Sequence, residues 1–427
     1  VLIFNLMKIL IKRNKFQILI LLVILCLLLS LVYTFFVAEI YSYMGFSSNF
    51  SFSRLLVSFS ILLFTLFLIN WVKINDFIYF IGIIYFVLAI IPTSITYTNQ
   101  LVSISILFSH YFIFYSIFLI GNYMHIPVKL FSLKENNKLI LVVLLSFLML
   151  IPFVIKFLPY INLKNLLLQD IYETRAIQKK ISSPYYGYSY SILSKVLIPT
   201  LIVYSLVYKK YTILLIGFIS LIFIFLCGAH KSVLLGSILL LFFYFGNVLN
   251  KLKFFLSLTI ITIVSFSILY FVDNELLLPL SIVARRGFFV PYLLDSFYFD
   301  LFENNPLYWS VSIFKNFIDY PYDKPIPYLI GELYFNNAGM GANNGIVSDG
   351  FSNAGILGVI INGLFLGSYI SVIKCLNISH KFYGLYFLLL ISIISSSLPV
   401  VLLTHGGIAL VIFALILQKN TTKFDLP

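Results

Sequence analysis

The chain has 427 residues, of which 61% are hydrophobic and only 10% charged. Soluble domains carry about 25% charged residues, and one water-bounded core cannot bury this much apolar surface. A soluble enzyme, a disordered chain, a coiled coil and a disulfide-stapled secreted domain are excluded, and the continuous apolar runs exclude an alternating β-barrel. What remains is an all-α polytopic membrane protein, read as a single integral membrane domain over residues 1–427. Cys26, Cys227 and Cys375 lie scattered in apolar segments without redox or metal spacing, so they read as packing residues.

One span takes about 20 apolar residues. In chain order the runs predict an uncleaved first span at 16–38 behind Lys8, Lys12, Arg13 and Lys15, then spans at 55–72, 77–96, 101–124, 139–158, 191–208, 211–228, 232–249, 254–272, 351–373, 382–398 and 400–418, about twelve transmembrane helices in all. With both termini placed in the cytoplasm, the inner segments hold sixteen basic residues against three acids, and the remaining charges cancel. The positive-inside rule thus accounts for the formal net charge of +13 without nucleic acid. Two outer loops are long, 159–190 and 273–350. Long loops between tightly spaced spans are where sites are commonly built.

The first loop carries Leu163, Leu166, Leu167 and Ile171 at helical spacing, which predicts an in-plane amphipathic helix holding Arg175 at headgroup depth. Lys195 falls about one turn inside the next span, where it either faces a cavity or snorkels to the interface. His230 and Lys231 occupy the turn GAHKS. The second loop opens with Arg285 and Arg286, suited to bidentate phosphate binding or to a salt bridge with Asp295 or Asp300. The aromatics that follow, among them Tyr292, Tyr298 and Trp309, either pack on sugar rings or form an interfacial belt. GMGANNG, with Asn343 and Asn344, is a turn that lets backbone approach a ligand or a helix, and Glu332 and Asp349 bracket it. Small residues at Gly350, Ala354 and Gly358 fit close helix packing. His405, in LLTHGG, is either a hydrogen-bonded structural histidine or a substrate contact. Motifs for a metal, a nucleotide or any other cofactor are absent, so the expectation is that none is used.

DIYETR (170–175), GAHKS (228–232), ARRGFFVPYLL (284–294), NPLYWS (305–310), PYLIGELYF (327–335), ANNGIVSDGFSNAGILGVIINGLFLG (342–367) and LLTHGG (402–407) together resemble the Wzy-type polymerases of O-antigen and capsule. The resemblance covers most of the chain from Asp170 onward; some members have an Arg-x10-Gly pattern, whereas eleven residues separate Arg175 from Gly187. It implies a GT-C-like multispan architecture in the bacterial plasma membrane. It further implies polymerisation, at the outer face, of oligosaccharide repeat units carried on undecaprenyl diphosphate. A flippase and a chain-length regulator are the partners it implies, besides membrane lipid. On that reading Arg175, Arg285, Arg286, Lys195 and Lys231 offset the leaving diphosphate. His405, Glu332 and Asp349 are candidate bases for the acceptor hydroxyl, and Tyr292, Tyr298, Trp309, Asn343 and Asn344 contact glycan. The rival readings are a flippase or transporter of the lipid-linked unit, and an O-antigen ligase.

Overall fold

The computed structural model describes residues 2–126, 134–167, 169–181, 183–230 and 240–417, with residues 233 and 236 between the last two stretches; the side chains of residues 2–12, 135, 136 and 417 are outside this description. Among the described residues all regular structure is helical, and eleven helices are long and apolar enough to cross a membrane. In chain order the helices are α1 (Arg13–Ile40), α2 (Phe52–Trp71), α3 (Asp76–Asn99), α4 (Ile104–Tyr123) and α5 (Asn137–Tyr160). A short α6 (Ile171–Ile181) precedes α7 (Pro184–Val207), α8 (Tyr211–Gly228), α9 (Val248–Val272) and α10 (Asn274–Phe302). Then come α11 (Ile326–Phe335), α12 (Ile346–Cys375), α13 (Gly384–Ser395), α14 (Leu398–Leu403) and α15 (Gly407–Leu417). The chain is an all-α polytopic membrane protein.

Two parts of the sequence reading change. Residues 274–302, expected as the start of a loop, form the apolar helix α10. Arg285, Arg286 and Asp295 interrupt its hydropathy, and helical order there comes from packing on neighbouring helices. The first loop is also more ordered than a single amphipathic helix. A 3-10 turn, Leu163–Leu167, is separated from α6 by Asp170 at φ 56°. α7 then begins at Pro184 rather than near Ser191, with Pro in its first turn where its missing N–H costs nothing. Of the span expected at 232–249, residues 232, 234, 235 and 237–239 lie outside the described residues, as does the site residue Lys231; the described part leaves helix after Phe242, and the next helix starts at Val248.

The chain forms two compact units. The first comprises residues 1–124, 247–371 and 393–398. α3 is its axis, with Ile78, Phe80, Ile81, Ile83 and Ile84 fully buried, because it is apolar on every face. α1, α2, α4, α9 and α10 pack around it. The second unit comprises residues 125–246, 372–392 and 399–427, and α7 is its most enclosed span, packed by α5 and α8. Buried hydroxyls do not strain these helices: Thr93, Thr98 and Ser205 donate back to the carbonyls of Ala89, Ser94 and Leu201.

α12 is not one straight rod. Ala354 (φ −151°) and Gly355 (φ +58°) leave helical geometry, and Gly355 is free of the Cβ that would oppose that φ. In a straight helix residues 346 and 362 stand about 24 Å apart along the axis. Here Asn362 Nδ2 donates to Ile346 O at 3.0 Å. Residues 346–353 therefore fold back as a short arm along 356–364. Gly350 and Gly358 meet backbone to backbone, where a Cβ on Gly358 would fall 1.9 Å from Gly350 O. The small residues read as a packing stripe are the seam of this hairpin. NPLYWS supplies the cap: Leu307 and Tyr308 donate backbone N–H groups to the carbonyls of Ser352 and Asn353, and Trp309 N–H to Asn353 Oδ1. These bonds satisfy the arm's orphan C-terminal acceptors.

Candidate functional site

In the second unit the backbone is irregular at Lys195 and at His405. Lys195 sits in a widened π turn, Leu193–Leu197, of α7. Such turns recur at functional sites. It lies eleven residues from the start of α7, about 16 Å along the axis, so it is deeper than the one turn expected from sequence. Its ammonium donates to Ser392 Oγ at 3.1 Å. His405 occupies the break between α14 and α15, where Thr404 and His405 both donate backbone N–H to Val400 O and Gly406 turns at φ +82°. Gly406 packs directly on Val196, the neighbour of Lys195, so the break is fixed against the π turn.

Arg175 reaches the same region from α6. Its Nη2 donates to Ala229 O at 3.0 Å, and Ala229 is the left-handed cap of α8. Arg175 Nε is buried with no hydrogen-bond partner among the described residues. The Tyr190 ring lies against Gly228 and, edge-on at 5.4 Å, against His230. Burial, followed by the charges of Arg175 and Lys195, pushes His230 down to about 4. Among the described residues no carboxylate lies within ion-pair distance of Arg175 or Lys195. Arg175, Lys195 and two histidines thus share one region. A buried cation is costly unless compensated, and an orphan guanidinium N–H is a donor waiting for an acceptor. The arrangement suits an anionic ligand.

The remaining predicted residues belong to the first unit. Arg285 and Arg286 lie in a nine-residue π segment, Ser281–Phe289. Arg285 donates to Ser281 Oγ and Met44 Sδ and lies 4.3 Å over the Tyr41 ring, while Arg286 is exposed. Neither pairs with Asp295 or Asp300. Arg285 lines a cleft of about 330 Å³ with Tyr43, Met44, Tyr334, Asn336 and Asn337. Tyr334 donates to Asp300 at 2.6 Å.

Several expectations land in the core instead. Tyr292 is fully buried, donates to Leu88 O and packs edge-on against His110. Tyr298 is buried and donates to Ala342 O. Asn344 is buried in a polar network, whereas Asn343 is exposed and Trp309 is half-buried at φ 56°. Glu332 is held by Lys324 at 2.6 Å on the exposed side of α11. Asp349 Oδ2 accepts from Asn362 Nδ2 and from the backbone N–H of Leu398, both at 3.1 Å. That carboxylate ties the two arms of the hairpin and caps the N-terminus of α14. Its Oδ1 meets Asn353 Nδ2 at 3.4 Å.

The network around Asn344 was missed from sequence. Asp295 Oδ2 meets His110 Nε2 at 2.8 Å, and its Oδ1 accepts from Asn344 Nδ2 at 2.9 Å and Ser348 Oγ at 2.6 Å. Both ends are buried. The available signal was one charged or imidazole side chain in each of two apolar runs, HYFIFY and PYLLDSFYF. Among the described residues no group of three His, Cys, Asp or Glu side chains is arranged to hold a metal ion. No family model, curated protein or solved structure matches the chain.

Proposed function

We propose that the protein transfers a glycan from a lipid-linked diphosphate donor to a sugar hydroxyl, as a polymerase of lipid-linked oligosaccharide repeat units in the bacterial plasma membrane, with both termini cytoplasmic. The observation that carries this reading is that Arg175 and Lys195 of the second unit have no carboxylate within ion-pair distance among the described residues and lie beside His230 and His405. In the transfer, the acceptor oxygen bonds to the anomeric carbon and the bond from that carbon to the diphosphate oxygen breaks. The hydroxyl proton passes to His405, whose chain break packs against the π turn of Lys195. The lipid diphosphate leaves with the bonding pair, and Arg175 and Lys195 offset the charge it gains. Preorganised cations in a low-dielectric site contribute most where charge develops.

The test is the glycan profile of a deletion strain complemented with variants. Wild type restores long polymer. Arg175→Ala and Lys195→Ala leave single repeat units, with loss of roughly 10²–10³-fold in rate, as for removal of one charge-stabilising donor. Normal polymer in both variants sinks the proposal.

A second reading is favoured by a separate observation. The folded-back arm of α12, the broken α14–α15 pair and the buried His110–Asp295 contact are features from which secondary transporters build substrate sites. A transporter of the lipid-linked unit predicts that deletion traps unflipped units on the cytoplasmic leaflet. Units exposed on the outer leaflet but unpolymerised favour the polymerase.

A further inference from the structure

In the first unit, α1 and α2 both lean on α3 and leave a groove between them. One stretch of it, about 520 Å³, is walled by Phe16, Leu19 and Val23 of α1 and by Leu63, Leu66 and Phe67 of α2. Its walls are apolar and unbranched by any carboxylate, but its end is polar: Lys15, Asn70 and Trp71 close it. From Lys15 to Val23 is eight residues, about 12 Å of helix. Half of a bilayer's hydrocarbon core is about 15 Å. This stretch is therefore about one leaflet deep, with its charged end at headgroup level, and beyond Val23 the groove continues along Cys26, Leu27, Ser30 and Thr34.

That end is also positively charged. Lys15 is half-buried and lies 5.1 Å from the Tyr79 ring centroid. Arg13 and Lys73 are exposed beside it, and Lys253 of α9 reaches the same end of α1, donating to Asn14 Oδ1 and Gln17 Oε1. Asp76, at the start of α3, is the acid that acts on Lys15, and it leaves the four cations in excess. A Lys at the mouth of an apolar interhelical groove is the chemistry that recognises an anionic lipid head.

We propose that this groove is a binding site for one acyl chain of an anionic phospholipid whose phosphate is held by Lys15. The site is independent of the glycosyl-transfer reading and stands or falls separately from it. The full-length protein is purified in detergent, stripped of lipid, and offered an equimolar mixture of phosphatidylglycerol and phosphatidylcholine with identical chains. Retained lipid is counted by native mass spectrometry. Wild type retains phosphatidylglycerol at least fivefold over phosphatidylcholine. Lys15→Gln brings that ratio close to one. Leu63→Trp, at a position 48% exposed where the larger ring fills the groove without entering the core, removes retention of both lipids while the melting temperature holds. Val23→Phe, on the opposite wall, gives the same result if Leu63→Trp fails to express. Equal retention of the two lipids by wild type overturns the proposal, as does a preference that survives Lys15→Gln. Preferential retention of a polyisoprenyl phosphate from a three-lipid mixture overturns it in favour of a substrate tail. A second copy of the chain that dissociates on Leu63→Trp overturns it in favour of a helix.

Discussion

Gly358→Ala opens the α12 hairpin, and its cost is readable from the contact it makes. The added methyl would stand 1.9 Å from Gly350 O and 2.8 Å from Gly350 C, against rigid backbone with no side chain to swing away. Ordinary carbon–oxygen contact needs more than 3 Å, so the arms separate by over 1 Å. The two bonds from Asn362, at 3.0 Å to Ile346 O and 3.1 Å to Asp349 Oδ2, then lengthen beyond hydrogen-bonding range. Two lost bonds cost about 0.5–1.5 kcal/mol each, and overpacking adds about 1–3 kcal/mol. The expected destabilisation is about 2–6 kcal/mol, measured by thermal or denaturant unfolding in detergent. Cross-linking reports the geometry directly. In a background with Cys26, Cys227 and Cys375 replaced by Ala, the pair Ile346→Cys and Asn362→Cys forms a disulfide, and Gly358→Ala suppresses it. A straight α12 would hold these Cα atoms about 24 Å apart, far beyond the 4.4–6.8 Å a disulfide spans. Failure of the pair to cross-link, with a control pair one helical turn apart cross-linking normally, would refute the folded-back arm.

Asp295→Ala leaves the His110, Asn344 and Ser348 donors without their shared acceptor, and costs about 2–5 kcal/mol in unfolding free energy, of the order seen on breaking a buried pair; Asp295→Asn, which keeps acceptor capacity, recovers part of this. His230 titrates at about 4 in the fold against 6.5 for the free side chain, so the unfolded chain takes up its proton first. Stability therefore falls as pH drops from about 6.5 to about 4, and His230→Gln flattens that slope in melting curves taken across the window. Arg175→Lys keeps a charge but not the fork that serves Ala229 O and leaves Nε–H free, so polymer yield in complementation drops nearly as far as with Arg175→Ala.

Composition alone determined the solvent. A chain with 61% hydrophobic residues has no folded state with that surface in water, and the lengths of its apolar runs set the helices. Local chemistry also marked the sensitive residues. Arg175, Lys195 and His405 are costly in or beside apolar helices, and the second unit brings all three to one region. Asp349 shows what sequence alone left out: its place beside GMGANNG suggested a base, and only the fold adds the long-range contacts with Asn362 and Leu398 that tie it across a hairpin. Tyr292 and Tyr298 looked like sugar platforms because aromatic residues have the same composition signal in a core and on a surface; only packing places them inside. The apolar helix at 274–302 hid behind Arg285, Arg286 and Asp295, whose cost is met by partners distant in sequence: Met44 for Arg285, and His110 and Asn344 for Asp295. The fold-back of α12 follows from one positive φ at Gly355 and one backbone seam between glycines. Hydrophobicity is a property of each residue and is read one position at a time, whereas compensation of a buried charge is a property of pairs and exists only once the chain has folded.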